Sequence, residues 1–207
     1  MRLWLLSNNV RSKQFLPLLE KEDGTMESMV QRVVCQAKAV GLANVITLAT
    51  NTSQLDVSTN QLGDTVSVVT EPECRDTFPA IALAASYLHF AKCCADDEVI
   101  VIMPCDPYTE ADYFETIGKM VECVKRDVAE LVLMGITPTY SSEKYGYVMP
   151  IASDNEYKMV SYFTEKPTVG RVKALLAENA YWNGRVFAFR LGYIMNIVKK
   201  YIALNSL

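Results

Sequence analysis

The sequence predicts an α/β fold with a mostly parallel sheet and helices on both faces. Three observations carry this. Segments of helical period alternate with short strand-like runs along the 207 residues. One apolar run, E-V-I-V-I-M at 98–103, is closed by Pro104 and reads as a central strand. Glu71-Pro72, Pro104-Cys105-Asp106 and Glu165-Lys166-Pro167 each follow such a run directly, and open α/β sheets bind ligands at the carboxyl ends of their strands.

Taken in order, residues 26–40 place Met26, Met29, Val30, Val33, Val34 and Ala37 at helical spacing, with Gly41 as a stop. N-V-I-T-L-A-T at 44–50 reads as a buried strand, and 67–70 as a short strand ending before Pro72. Pro79 opens an Ala-rich helix running to Ala95, in the first turn where its missing donor costs nothing. After the strand at 98–103, Thr109 is the expected N-cap of a long helix with Phe114, Ile117, Val121 and Val124 on one face. Residues 131–136 form the next strand. Strands at 147–151 and 157–164 are joined by the turn-forming Asp154-Asn155. A short helix at 168–177, a strand at 186–190 and a helix at 193–204 complete the pattern. No repeat, low-complexity tract or linker divides it, and the length suits one domain.

Composition narrows the function classes. Half the residues are apolar, 21% are charged, and the net charge is −4. A general nucleic-acid binder would carry a basic excess, so nucleic acid is not an expected partner. An anionic small ligand needs only a local basic site. No apolar run has the ~20 residues of a membrane span. The opening M-R-L-W-L-L-S is too short for a signal-peptide core, which predicts a cytoplasmic protein. Cysteines at 35, 74, 93, 94, 105 and 123 form no C-x-x-C pair, and the single His89 completes no zinc set. They are expected to be reduced thiols.

Several residues can carry chemistry. Asp106, after a buried strand, can hold Mg²⁺ that keeps waters and phosphate oxygens as its other ligands, or can cap the turn that follows. Lys13 and Lys166 can each neutralise a phosphate, and Arg2 and Arg75 are similar cases. Glu165 can orient Lys166 or accept from sugar hydroxyls. Gly146, between two tyrosines, either makes a plain turn or lets a sugar approach the backbone. Asn183 either serves a turn or bonds a sugar hydroxyl, with Trp182 as an apolar wall. Asp76 and Thr77 are N-cap candidates, and Asp76 can also read the donor groups of a guanine edge.

These segments form a recognisable set: R-L-W-L-L-S…S-K-Q-F-L at 2–16, E-P-E-C-R-D-T-F-P-A-I at 71–81, M-P-C-D at 103–106, F-T-E-K-P at 163–167 and Y-W-N-G-R-V-F at 181–187. In order and spacing the chain resembles the sugar-1-phosphate nucleotidyltransferases, most closely the mannose-1-phosphate guanylyltransferases. The resemblance implies a Rossmann-like nucleotidyltransferase fold and transfer of GMP from GTP to mannose 1-phosphate. It implies that Asp106 binds Mg²⁺ and that Arg2 and Lys13 neutralise the triphosphate and leaving group. Arg75, Asp76 and Thr77 would line the base pocket. Lys166 would hold the sugar phosphate, with Glu165 and Asn183 on the sugar hydroxyls and Gly146 behind the sugar. Two alternatives stay open: a relative that only binds a sugar phosphate or nucleotide sugar, and a transferase for another hexose 1-phosphate. A homo-oligomer is also left open.

The chain departs from the family pattern in places. It begins at Met1-Arg2-Leu3-Trp4, without the G-G-x-G-T loop that precedes this motif in the family. Leu5 stands where the family has Pro, Ser12 replaces the Pro before the lysine, and Arg185 stands where the family usually has Gly. The expectation is therefore a single nucleotidyltransferase domain over 1–207, truncated at both ends.

Overall fold

The computed structural model describes residues 12–41, 45–73, 77–153 and 155–201. A one-turn 3-10 helix at Lys13–Phe15 leads into a hairpin of β1 (Pro17–Glu20) and β2 (Met26–Ser28). Its turn contains Asp23-Gly24, where Gly24 has φ +78° and the Asp23 carboxylate accepts from the Thr25 amide at 2.9 Å. Ser28 then starts α1 (Met29–Ala39) with a capping box: its hydroxyl accepts from Gln31 N–H, and the Gln31 side chain accepts from Ser28 N–H. This cap, missed in the helical spacing of 26–40, is why the helix begins only at Met29.

A β-α-β unit follows, with β3 (Thr47–Asn51), α2 (Leu55–Leu62) and β4 (Ser67–Glu71). The Ala-rich helix divides into α3 (Thr77–Ser86) and a π-helical turn at Tyr87–Ala91. Then come β5 (Val99–Ile102), α4 (Ala111–Lys125), β6 (Leu131–Ile136), β7 (Tyr147–Pro150), β8 (Val160–Thr164), α5 (Val169–Ala177), β9 (Tyr181–Arg190) and α6 (Leu191–Tyr201). Thr109 is not the cap of α4. Glu110 occupies that position without a side-chain bond, and the Thr109 hydroxyl is buried with no partner among the described residues.

Period-2 alternation places helices on both faces of the sheet. Ile100 and Ile102 of β5, with Phe187 and Phe189 of β9, pack against α3 and α6. Val99 and Val101, with Val186 and Ala188, pack against Phe114, Ile117, Met120 and Val124 of α4. Each of these four α4 side chains is at most 4% exposed, and burying each contributes about 1.5–3 kcal/mol. A third cluster joins Tyr147, Met149 and Trp182 to Val172 and Leu175 of α5.

The fold class is the expected α/β, but the strands do not form one mostly parallel sheet: among the described residues β3 and β4 make a separate two-stranded sheet, and every pairing of the five-stranded sheet is antiparallel. β3 and β4 pair parallel. β9 is antiparallel to β5, β6 and β7, and β7 is antiparallel to β8. β5 and β6 run in the same direction, as βαβ units require, but β9 lies between them. β9 is also longer than the expected 186–190, because Tyr181, Trp182 and Asn183 pair with β7 or β6. β6 accompanies β9 along one side. On the other side β5 covers Phe187–Arg190 and β7 covers Tyr181 and Trp182. The stretch from Gly184 to Val186 therefore has no strand partner on that side, where β5 ends and β7 begins.

Candidate active site

Two groups of candidate side chains are assembled, one after the end of β5 and one around the start of β7. The first is on the β5 side. The loop leaving β5 carries Asp106, whose carboxylate accepts a hydrogen bond from the ammonium of Lys13, 93 residues away in sequence. The turn holding Lys13 is tied down by side chains of the β-α-β unit. Gln54 Nε2 donates to Ser12 Oγ at 2.8 Å, and Gln61 Nε2 donates to the Phe15 carbonyl at 2.8 Å. Lys13 and Asp106 are both well exposed, at 56% and 40%. Such a pair contributes only about 0–1 kcal/mol, so an anionic ligand can open it at little cost.

Cys105, beside Asp106, is mostly buried, and that burial, reinforced by the Asp106 charge, pushes its thiol up to about 11. Tyr113, in the first turn of α4, is pushed up to about 12 by burial and then by Asp106. Its hydroxyl is buried with no partner among the described residues.

The second group is on the β7 side. Asn183 N–H donates to the Gly146 carbonyl at 2.8 Å, which fixes the start of β7 against β9. A Cβ on Gly146 would stand 2.6 Å from Glu165 Oε2 and 2.6 Å from Phe163 Cζ. Gly146 is therefore needed for close approach: the Glu165 carboxylate occupies the space a side chain would take. Lys166 Nζ lies 3.6 Å from Glu165 Oε1. The four residues expected on the sugar side, Gly146, Glu165, Lys166 and Asn183, are thus assembled from three separate segments. Asn183 divides its functions. Its side-chain oxygen accepts from Arg185 N–H at 2.9 Å, which supports the local turn and leaves the amide nitrogen as a donor.

Of the other candidates, Thr77 alone lies among the described residues. Thr77 is the first residue of α3, just beyond the end of β4. Arg2, Arg75 and Asp76 lie outside the described residues. Sequence reasoning missed an aromatic cluster around Trp182, the neighbour of Asn183. Tyr140 and Tyr145 pack on Trp182 with ring centroids 5.0 and 4.8 Å away, and the Trp182 indole N–H is buried without a partner among the described residues. Tyr145 beside Gly146 was a visible signal, whereas Tyr140 sits in a loop whose path only the fold sets.

Among the described residues no three His, Cys, Asp or Glu side chains cluster to hold a metal, and no helix is long and apolar enough to cross a membrane. Cys35, Cys93, Cys94, Cys105 and Cys123 are unpaired, and Cys74 is outside the described residues.

Residues 1–204 match the nucleotidyl transferase family. The mannose-1-phosphate guanylyltransferase of Sinorhizobium fredii is 33% identical over 94% of this chain and 38% of its own length. The enzyme of the same name from Escherichia coli is 31% identical over 97% of this chain and 42% of its own length. The chain thus spans well under half the length of these relatives. A solved structure described as a mannose-1-phosphate geranyltransferase from Thermus thermophilus superposes with a TM-score of 0.81 at 26% identity, covering 97% of this chain and 56% of that one. A Helicobacter pylori structure described as a mannose-6-phosphate isomerase shares the fold, with a TM-score of 0.75 at 20% identity over 94% of this chain and 72% of that one. With the family's model matching nearly its whole length, the chain belongs to the nucleotidyl transferase family.

Proposed function

We propose that this chain carries the site for transfer of GMP from GTP to mannose 1-phosphate, giving GDP-mannose and pyrophosphate. The observation that supports it most is that candidate residues distant in sequence meet in two groups, one after the end of β5 and one around the start of β7. Lys13 and Asp106 lie on the β5 side, and Gly146, Glu165, Lys166 and Asn183 lie on the β7 side. The relatives' names supply the substrates.

In this reading a phosphate oxygen of mannose 1-phosphate attacks the α-phosphorus of GTP, and the bond to the β-phosphate oxygen breaks as pyrophosphate leaves. The chemistry needs alignment and charge neutralisation rather than a covalent intermediate. Lys166 holds the acceptor phosphate, Glu165 accepts from sugar hydroxyls, and the amide of Asn183 donates to one. Gly146 leaves the backbone bare where the sugar lies. Lys13 exchanges Asp106 for the phosphates of the nucleotide, a role it would share with Arg2. Thr77, with Arg75 and Asp76, would serve the base. The Asp106 carboxylate suits Mg²⁺, since it is exposed and held by one weak ion pair, and Mg²⁺ takes few protein ligands beside phosphate oxygens and water. Bound there, the ion would neutralise phosphate charge.

The test is pyrophosphate release by the purified chain with GTP, mannose 1-phosphate and Mg²⁺, using ATP and glucose 1-phosphate as controls. Release should require all three components and fall at least about 100-fold in Asp106→Ala. Equal rates with glucose 1-phosphate would redirect the reading to another hexose. No release from chain shown to be folded would overturn the catalytic reading in favour of a binding relative.

A further inference from the structure

Among the described residues, five other than glycine have a left-handed backbone: Cys93, Asp127, Lys166, Asn179 and Arg185, with φ between +41° and +59°. Asp127 and Asn179 follow the ends of α4 and α5, and Cys93 follows the π-helical turn. A left-handed residue is ordinary at a helix end. Lys166 and Arg185 are different. Lys166 follows β8 and Arg185 lies inside β9, both are cations, and both are linked to Gly146. Lys166 adjoins Glu165, whose carboxylate fills the space beside Gly146. Arg185 N–H bonds Asn183, whose own N–H bonds the Gly146 carbonyl.

The geometry at Arg185 has a local cause. β6 and β9 lose register there, with Leu133 opposite Phe187 but Gly135 opposite Asn183. Three residues of β9, from 184 to 186, thus face the single Met134. Bulges of this kind commonly contain one left-handed residue, for which glycine is the easy choice. Here the glycine is used elsewhere: a Cβ on Gly184 would stand 2.9 Å from the Met134 carbonyl oxygen. The left-handed position goes to an arginine, which is exposed and whose guanidinium has no hydrogen-bond or ion-pair partner among the described residues. Backbone strain retained without structural benefit points to function.

We propose that Arg185 joins Lys166 in a two-cation clamp for the phosphate of the acceptor sugar. The inference rests on the proposed function for the identity of the sugar, but not for the anion. The guanidinium fork suits the oxygens of a phosphate, while Lys166 adds a point charge.

The test is calorimetric titration of the whole chain with inorganic phosphate, mannose 1-phosphate, glucose 1-phosphate and GTP, for the parent, Arg185→Met, Arg185→Lys and Arg185→Gly. Met keeps the apolar stem, Lys keeps the charge, and Gly relaxes the backbone. The expected result is that Met and Gly weaken at least one non-nucleotide phosphate ligand by roughly 10-fold or more. Lys should weaken it less, and GTP should be unchanged. Arg185→Gly should melt no lower than the parent, which separates loss of the clamp from loss of the fold. Parent-like affinity of Arg185→Met for every ligand overturns the proposal. So does an equal loss for GTP, and so does failure of the parent to bind any of the three non-nucleotide ligands. If inorganic phosphate binding depends on Arg185 but mannose 1-phosphate does not bind, the substrate reading falls and the clamp stands. If pyrophosphate release is intact and the KM for mannose 1-phosphate is unchanged in Arg185→Met, the clamp falls and the substrate reading stands.

Discussion

Two glycines show how differently single residues can matter at this site. Gly146 approaches only the far ends of the Glu165 and Phe163 side chains. Gly146→Ala should therefore cost less than about 1 kcal/mol, because those ends can swing away. It should nevertheless weaken mannose 1-phosphate binding by about 10-fold, since the displaced carboxylate is the one read as accepting from the sugar. Gly184 approaches a backbone carbonyl and the Ile136 side chain at 3.3 Å. Gly184→Ala should cost about 1–3 kcal/mol, because the sheet itself must move. Urea unfolding and calorimetry on both variants check the contrast, and equal stability costs would contradict it. The sequence made Gly146 a candidate through its tyrosine neighbours. It did not mark Gly184, whose constraint comes from Met134 across the sheet.

The capping box of α1 governs more than its own helix. Ser28 is fully buried, accepts from Gln31 N–H and donates to Gln61 Oε1 at 2.7 Å. Gln61 in turn donates to the Phe15 carbonyl, beside the turn that carries Lys13. Ser28→Ala should destabilise the chain by about 1–3 kcal/mol, through the lost cap and a partly buried acceptor left without its donor. Thermal unfolding measures this, and a change under about 0.5 kcal/mol would show that the cap is idle. The S-M-V-Q pattern and the D-G turn before it are visible in the sequence. They were masked by apolar residues whose helical spacing runs straight through the hairpin end. The strand at 131–136 was legible residue for residue, since its apolar run is bounded by polar segments. The long β9 was not, because Trp182 and Asn183 are strand residues only by virtue of partners far away in sequence.

At the scale of the whole molecule, buried ionisable groups beside the site set its response to alkali. Cys105 is raised from 9.0 to about 11 and Tyr113 from 10.0 to about 12, both mainly by burial. Each keeps its proton longer in the folded chain than in the unfolded one. Their contribution to stability is complete below pH 9 and is lost as pH rises, from 9 to about 11 for Cys105 and from 10 to about 12 for Tyr113. Tyr113→Phe should flatten the upper part of this decline. It should be neutral or stabilising at pH 7, because the hydroxyl it removes has no partner among the described residues. Chemical denaturation across this pH range tests both statements, and an unchanged slope above pH 10 in Tyr113→Phe would contradict the first.

The sequence by itself determined the alternation of elements, the apolar run of β5 and the family motifs at strand ends, though β5, expected to be central, pairs with β9 alone among the described residues. Periodicity, bounding prolines and residue chemistry are local properties. Only the tertiary structure decided that β9 runs against β5 and β6, that β5 and β7 leave part of it unpaired, and that Lys13 meets Asp106 after the end of β5. It also decided that Lys166 and Arg185 take left-handed backbones around Gly146. Strand direction depends on partners distant in sequence. The φ at Arg185 follows from a register shift that exists only when β6 and β9 are paired.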